Sequence, residues 1–405
     1  MLAFVLGLGL PRSFFLLYCI EAACVLFAWQ KKKIAPTPLL LFSTITLLGF
    51  GVSYVVFRLS WGVWVPIIDH VQQVLAAALL PGFGLMAGWC LQRIGGSMLS
   101  RKAITMMIIA YGFGALLYVL ISLGLTHSTW SDWFQQLSQN VVVPWGSEHP
   151  LNMRSVEQRA YVSLACLPAA FLLLSSHQLR YRLMALVLFI ACLLASLATW
   201  SFQSRIGWCV LLLSTLPWIC SPKIMPKRAF TLPLVLASLV FVGVSGRFCD
   251  ERFSLQTHFL ANVWQAPWGG RLIRFNYGDC NPVITNHFGS FWGSNASSPH
   301  NVLLDIYNDA GVLPSFLMLA SISMMVISIL GWFILRFRLD VWDWHLAVRW
   351  AMFSVLAVQF FAQPFMYSDQ LMFSVGFIYA GIMMGEAFAD KQYYCSSRDV
   401  KYLDK

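Results

Sequence analysis

Charge is what this chain has least of. Only 11% of its 405 residues are Asp, Glu, Lys or Arg, and 59% are hydrophobic, whereas soluble domains carry about a quarter charged residues. That balance excludes a water-soluble globular fold and leaves an all-α polytopic integral membrane protein. Other absences narrow the function. There is no Walker loop, no dinucleotide glycine fingerprint and no Cys/His cluster at metal-ligand spacing, so the sequence implies no cofactor and no metal. Repeats at solenoid period and the internal duplication common in transporters are missing as well. The formal charge of +10 does not signal nucleic acid, because the basic residues sit in short clusters between apolar runs and form no groove.

What is present is a series of apolar runs long enough to cross a bilayer, each about 17–25 residues. They fall at roughly 13–29, 34–57, 70–92, 103–125, 159–176, 183–201, 229–245, 312–335, 346–366 and 370–388, with a shorter one at 206–220. Residues 1–10 lack the basic start and cleavage site of a signal peptide and read as a short or tilted first helix. The sequence therefore predicts 11–12 transmembrane helices. It divides into N-terminal transmembrane helices (1–245), a long external loop with short amphipathic helices (246–311), C-terminal transmembrane helices (312–388) and a cytoplasmic tail (389–405).

Alternation of the connections places the basic clusters on one side, which the positive-inside rule makes the cytoplasm. Those clusters are Lys31 to Lys33, Arg93 with Arg101 and Lys102, Arg180 with Arg182, Lys223 with Lys227 and Arg228, Arg336 with Arg338, and the tail. The opposite side receives the loop 126–158, the turn 202–205 and the loop 246–311. Its basic residues are Arg58, Arg154, Arg159, Arg205, Arg247, Arg252, Arg271 and Arg274, and none is a lysine. Either arginine is tolerated outside while lysine marks topology, or the outer face binds an anion through the planar guanidinium fork.

In the long loop, Ser298-Pro299 reads as a helix start. The following Leu303, Leu304, Tyr307 and Gly311 give a pattern too short to span, so an amphipathic helix at the membrane interface is expected. His300 would lie in its first turn. It is either a hydrogen-bonded interfacial residue or a neutral imidazole able to accept a proton. Arg205 closes the short turn Gln203-Ser204-Arg205, and Arg252 opens an apolar segment, Phe253 to Trp264, that ends in Pro267-Trp268-Gly269-Gly270. Both arginines would stand at the outer membrane boundary.

This combination resembles the O-antigen ligase and O-antigen polymerase superfamily, integral membrane glycosyltransferases of the bacterial inner membrane with an active site facing the periplasm. The family pattern has a histidine-asparagine pair, an acidic residue nine positions after the histidine and a glycine two further on. Here these are His300-Asn301, Asp309 and Gly311. The family's arginine upstream of an amphipathic stretch ending in a proline-glycine turn corresponds to Arg252 and Pro267, and its earlier external Ser-Arg or Thr-Arg pair to Ser204-Arg205. The resemblance implies that Arg205 and Arg252 bind the pyrophosphate of an undecaprenyl-pyrophosphate-linked O-antigen. It further implies that His300 activates the acceptor hydroxyl of the lipid A–core oligosaccharide, with Asn301 and Asp309 in support. Departures are Asp309 where glutamate is frequent, Pro314 where glycine is frequent, and an upstream arginine region echoed only by Arg154, Gln158 and Arg159. The motifs lie within residues 200–315 and do not separate ligase from polymerase. A lipid-linked glycan transporter is the reading from another class, with Glu21, His70, Arg349 and Glu386 as its intramembrane or peripheral charges.

Most of the ten cysteines lie within spans and act as small apolar residues. Cys249 and Cys280 fall in or beside the external loop, where an oxidising periplasm permits a disulfide. If the two are joined, reduction shifts the protein's electrophoretic mobility, and neither thiol labels before reduction. Free labelling of both in unreduced protein rules the bridge out.

Overall fold

A computed structural model describes residues 14–31, 36–60, 71–126, 129–132, 156–174, 178–198, 205–220, 251–276, 295–296, 299–338, 343–363, 366 and 370–403. Eleven helices account for most of them: α1 (Phe14–Gln30), α2 (Pro38–Ser60), α3 (Val71–Thr126), α4 (Val156–Leu174), α5 (Leu179–Ala198), α6 (Arg205–Cys220), α7 (Glu251–Ala261), α8 (Val302–Ala310), α9 (Val312–Arg338), α10 (Trp344–Ala362) and α11 (Gln370–Leu403). One 3₁₀ turn, Val263–Gln265, follows α7. A two-residue antiparallel pairing of Phe275–Asn276 with Asn295–Ala296 joins the ends of the 277–294 stretch. Six stretches among the described residues are long and apolar enough to cross a membrane: Pro38–Arg58, Lys102–Ile121, Leu179–Leu197, Val312–Phe337, Trp344–Ala362 and Met372–Asp390. Leu17–Gln30, Ala160–Phe171 and Ile206–Pro217 are shorter apolar helices. The protein is thus an all-α membrane protein. The expected runs 1–10 and 229–245 lie outside the described residues.

The chain packs as two compact units. One comprises Met1–Leu16, Arg101–Gly246 and Leu335–Gln359, the other Leu17–Ser100, Arg247–Ile334 and Phe360–Lys405. In the first, α4 packs on α5 and α6. Its core joins Ala115, Tyr118 and Val119 of α3 to Ala160 of α4 and Ala195 of α5. Trp350 of α10 donates its indole hydrogen to the Leu213 carbonyl at 2.8 Å, so a buried polar group finds a partner on α6.

In the second unit, α2 shows how an apolar helix chooses a side. Leu40, Ser43, Leu47, Phe50, Tyr54 and Arg58 recur at three- and four-residue steps and are buried, while Leu41, Ile45, Leu48, Val52 and Val56 are exposed. Both faces are apolar, so the outward one suits lipid and the inward one carries the few polar groups. Helix α3 breaks at Gly96, where a φ of 65° departs from helical geometry. Before that break it lies very close to α11. A Cβ at Gly88 would stand 2.0 Å from the Ile378 carbonyl oxygen, and one at Gly381 would stand 2.1 Å from that of Leu85. Small residues let the two backbones touch, which is how helices gain packing energy where solvent supplies none.

Gly88→Ala therefore forces α3 and α11 apart. Its thermal unfolding in mild detergent is expected to fall by several degrees, whereas Gly124→Ala, which meets nothing within 4 Å, is expected to leave it unchanged or raise it slightly. Equal behaviour of the two variants would refute the contact.

Candidate functional site

The helix carrying the His-Asn motif is α8, and its start is three residues later than the Ser-Pro signal predicts. Asn301 is the N-cap, its side-chain oxygen accepting from the main-chain N–H of Leu303 at 3.0 Å and of Leu304 at 3.3 Å. His300 consequently lies before the helix and not in its first turn. Its φ of 54° is left-handed, a conformation uncommon for a residue with a Cβ and incompatible with helix continuation. Seven of the nine residues of α8 are buried, Asp305, Asn308 and Asp309 among them. The expected amphipathic helix packs against α2 and α7. The physical reason is the pairing of its polar face with partners from distant parts of the chain.

Asp309 is the centre of that pairing. Its carboxylate receives Arg271 through Nε on Oδ1 and through Nη2 on Oδ2 at 3.3 Å, the two-pronged geometry of a guanidinium fork. Arg58 Nη1 approaches Oδ1 to 3.2 Å, and the Tyr54 hydroxyl donates to Oδ2 at 3.5 Å. Arg58 and Tyr54 are one turn apart near the end of α2, where the helix dipole favours a cation. The carboxylate is 2% exposed, Arg58 5% and Arg271 11%. Charges so far from water are tolerable only because they are paired.

The backbone locks the same place. Gly270 and Arg271 donate their N–H groups to the Asp309 and Asn308 carbonyls at 3.2 and 2.7 Å, and Val312 donates to Pro267 at 2.8 Å. The last carbonyls of α8, which no helix can satisfy internally, are thus taken up by the Pro267-Trp268-Gly269-Gly270 turn. The approach leaves no room for side chains at two positions. A Cβ on Gly269 would meet the Gly311 nitrogen at 2.6 Å, one on Gly311 would meet the Pro267 oxygen at 2.6 Å, and both residues have positive φ. Tyr307 ties α8 to the 3₁₀ turn by donating to the Val263 carbonyl. Burial raises the pKa of its phenol above the ordinary value, opposed by a hydrogen bond from the main chain at Ala266. Around these contacts Leu255, Phe259, Ala266, Ile273, Phe275 and Tyr307 form a small core.

Helix α7 closes on His300 through Gln256. The Gln256 amide donates to the His300 carbonyl at 3.4 Å and to the Phe361 carbonyl, near the end of α10, at 3.0 Å. The Asn301 amide reaches the same Phe361 oxygen at 3.4 Å. Arg252 belongs to the same helix, four residues before Gln256. The second unit thus brings together His300, Asn301, Asp309 and the helix that carries Arg252. Arg205 is the first residue of α6 in the other unit, and residues 201–204 lie outside those described. Gln158 and Arg159 fall in the first turn of α4. Arg154, Cys249 and Cys280 lie outside the described residues.

Arg58, Arg271, Tyr54 and Gln256 are the partners that sequence reasoning did not select. The first two belong to the lysine-free outer arginine set, but nothing marks them within it, because Tyr54 and Asp309 are 255 residues apart and contact at that range leaves no local pattern. A further apolar row crosses this region. Leu260, Trp264, Trp268 and Leu272 are all exposed at four-residue spacing, and Trp268 stacks on Phe57 at the end of α2 with ring centroids 5.8 Å apart. No protein-family model matches the chain, and no curated protein matches it.

Asp309→Asn keeps the shape of the side chain but leaves two buried arginines without their anion. A loss on the order of 3–5 kcal/mol is expected, read as a lowered unfolding temperature of the purified protein. An Asp309→Asn protein as stable as wild type would show that the triad does not hold α8.

Proposed function

We propose that the protein is a membrane glycosyltransferase that moves O-antigen polysaccharide from undecaprenyl pyrophosphate to the lipid A–core oligosaccharide. In this reading it is a multi-pass protein of the bacterial inner membrane with 11–12 spans, and the loop 246–311 faces the periplasm. The observation that carries the proposal is the placement of His300. It stands in a left-handed turn immediately before a helix capped by Asn301 and Gly311, so the spacing of the His-Asn, Asp and Gly motif corresponds to one rigidly held element.

The chemistry follows from the residues. The acceptor hydroxyl oxygen bonds to the anomeric carbon while the bond from that carbon to the pyrophosphate oxygen breaks. His300 takes the hydroxyl proton, an effect typically of about 10²–10⁴-fold for a general base. Arg205 and Arg252 neutralise the charge that grows on the departing pyrophosphate, a role suited to guanidinium groups at a water-poor boundary. A single displacement of this kind inverts the anomeric centre. The donor is already activated, so no nucleotide is needed. The exposed Trp264 and Trp268 suit the headgroup layer, where amphipathic rings concentrate, and would hold the loop at the depth of a polyprenyl pyrophosphate.

His300→Ala is expected to abolish transfer while membrane insertion and protein level are retained. Wild-type transfer by a well-expressed variant would overturn the assignment. The acceptor is read from the lipopolysaccharide gel profile of a deletion strain. Polymer left unattached to core identifies a ligase, and core carrying a single repeat identifies a polymerase, which uses the same donor.

A further inference from the structure

Glu21 lies midway along α1 and is 1% exposed, yet neither of its carboxyl oxygens has a hydrogen-bond partner. No charged side chain among the described residues lies close enough to offset it. Its head sits where α1, α3 and α11 meet. The point at which a Gly84 side chain would begin is 3.3 Å from Glu21 Oε1, 3.2 Å from the Ser374 carbonyl oxygen and 3.4 Å from Ile378 Cγ1. The absent side chain of Gly84 therefore makes the room that the carboxyl occupies.

Among the described residues, nothing around it would hold a negative charge. On α1 itself the neighbouring titratable groups are Tyr18, whose hydroxyl is committed to the Leu75 carbonyl at 3.0 Å, and Cys24. Helix α3 contributes Cys90 beside Cys24, and α11 presents Ser374 and Ile378, neither of which titrates. The Ser374 carbonyl that also borders the Gly84 space is an acceptor and offers an ionised carboxylate no donor. A carboxylate stripped of water, donors and counter-ion neutralises rather than remain charged.

We infer that Glu21 is a proton-binding site at the α1, α3 and α11 junction, occupied at neutral pH, and the side chain that a lipid-soluble carbodiimide modifies. In that reaction the acid O–H adds across a C=N bond. The carboxyl oxygen bonds to the central carbon, its proton goes to nitrogen, and the acyl group then migrates from oxygen to nitrogen, giving a stable N-acylurea with nothing released. Because the proton is part of the packing, the seat of α1 on α3 and α11 depends on pH. The stability that a packed, protonated carboxyl contributes is present at low pH and is lost as pH rises and the proton leaves. This inference is independent of glycosyl transfer.

The test uses membranes containing the full chain, treated with dicyclohexylcarbodiimide at neutral pH and analysed by peptide mass. An adduct on the Glu21 peptide is expected, absent from Glu21→Gln and not formed by a water-soluble carbodiimide. No adduct on protein that elutes as a single species in mild detergent would overturn the proposal, as would equal labelling by the water-soluble reagent, which needs a hydrated carboxyl. Thermal unfolding supplies a second readout. Glu21→Gln, whose amide mimics the neutral acid, is expected to become more stable relative to wild type as pH increases. Parallel pH curves for the two proteins would overturn the proposal.

Discussion

The attraction between one buried carboxylate and two guanidinium groups is the contact on which the described part of the loop region depends. Asp309 sits near the C-terminal end of α8, where the helix dipole opposes a negative charge. Arg271 and Arg58 reverse that penalty and, in doing so, join the turn after α7 and the end of α2 to the same helix. Removing water from all three charges is costly, on the order of several kcal/mol per ion. The arrangement pins α8 without the large apolar core that a nine-residue helix cannot provide. Short helices are marginal by themselves, and this one is held at each end and at its polar face.

Glycine makes the close approach possible. Gly269 and Gly311 each occupy a backbone conformation that a Cβ would disfavour, and each stands where a Cβ would collide with the other's strand of chain. The turn can therefore supply the N–H groups that the last turn of α8 needs. At the opposite end, Asn301 caps the helix and also reaches α10, while Gln256 joins His300 to the same carbonyl. The imidazole is consequently carried on a backbone fixed from three directions. In the role proposed for it, His300 would gain from such fixity, because a proton acceptor's contribution depends on geometry. The arginine set expected on the outer side acquires a physical sense as well. Two of its arginines serve structure around Asp309, and Arg252 rides on the helix that closes on His300.

Much of this was legible in the chain before folding. Apolar length marked the helices, since a bilayer demands about 20 residues per crossing, and Gly311 ended α8 as a glycine after a periodic segment should. The start of α8 was misread. Ser298-Pro299 is a sound local signal, but Asn301 competes for the same role and wins because its amide also finds the Phe361 carbonyl. Asp309 was visible as a motif residue without a partner. Its arginines stood among eight outer ones with nothing to distinguish them, since an ion pair across 38 residues or more has no period to detect. Glu21 was visible only as a charge within an apolar run, and its isolation is a property of α3 and α11.

Composition and apolar length by themselves determined that the chain is a helical membrane protein and where its apolar helices lie. These follow from the cost of burying unpaired peptide groups in hydrocarbon, a cost that any sequence must meet locally. The tertiary structure alone decided which face of each apolar helix turns inward, which two arginines hold Asp309, and where His300 stands relative to its helix. Helices apolar on all sides carry no record of their neighbours. Those choices rest on contacts between residues far apart in the chain, where a polar group is stable only if its partner arrives with it.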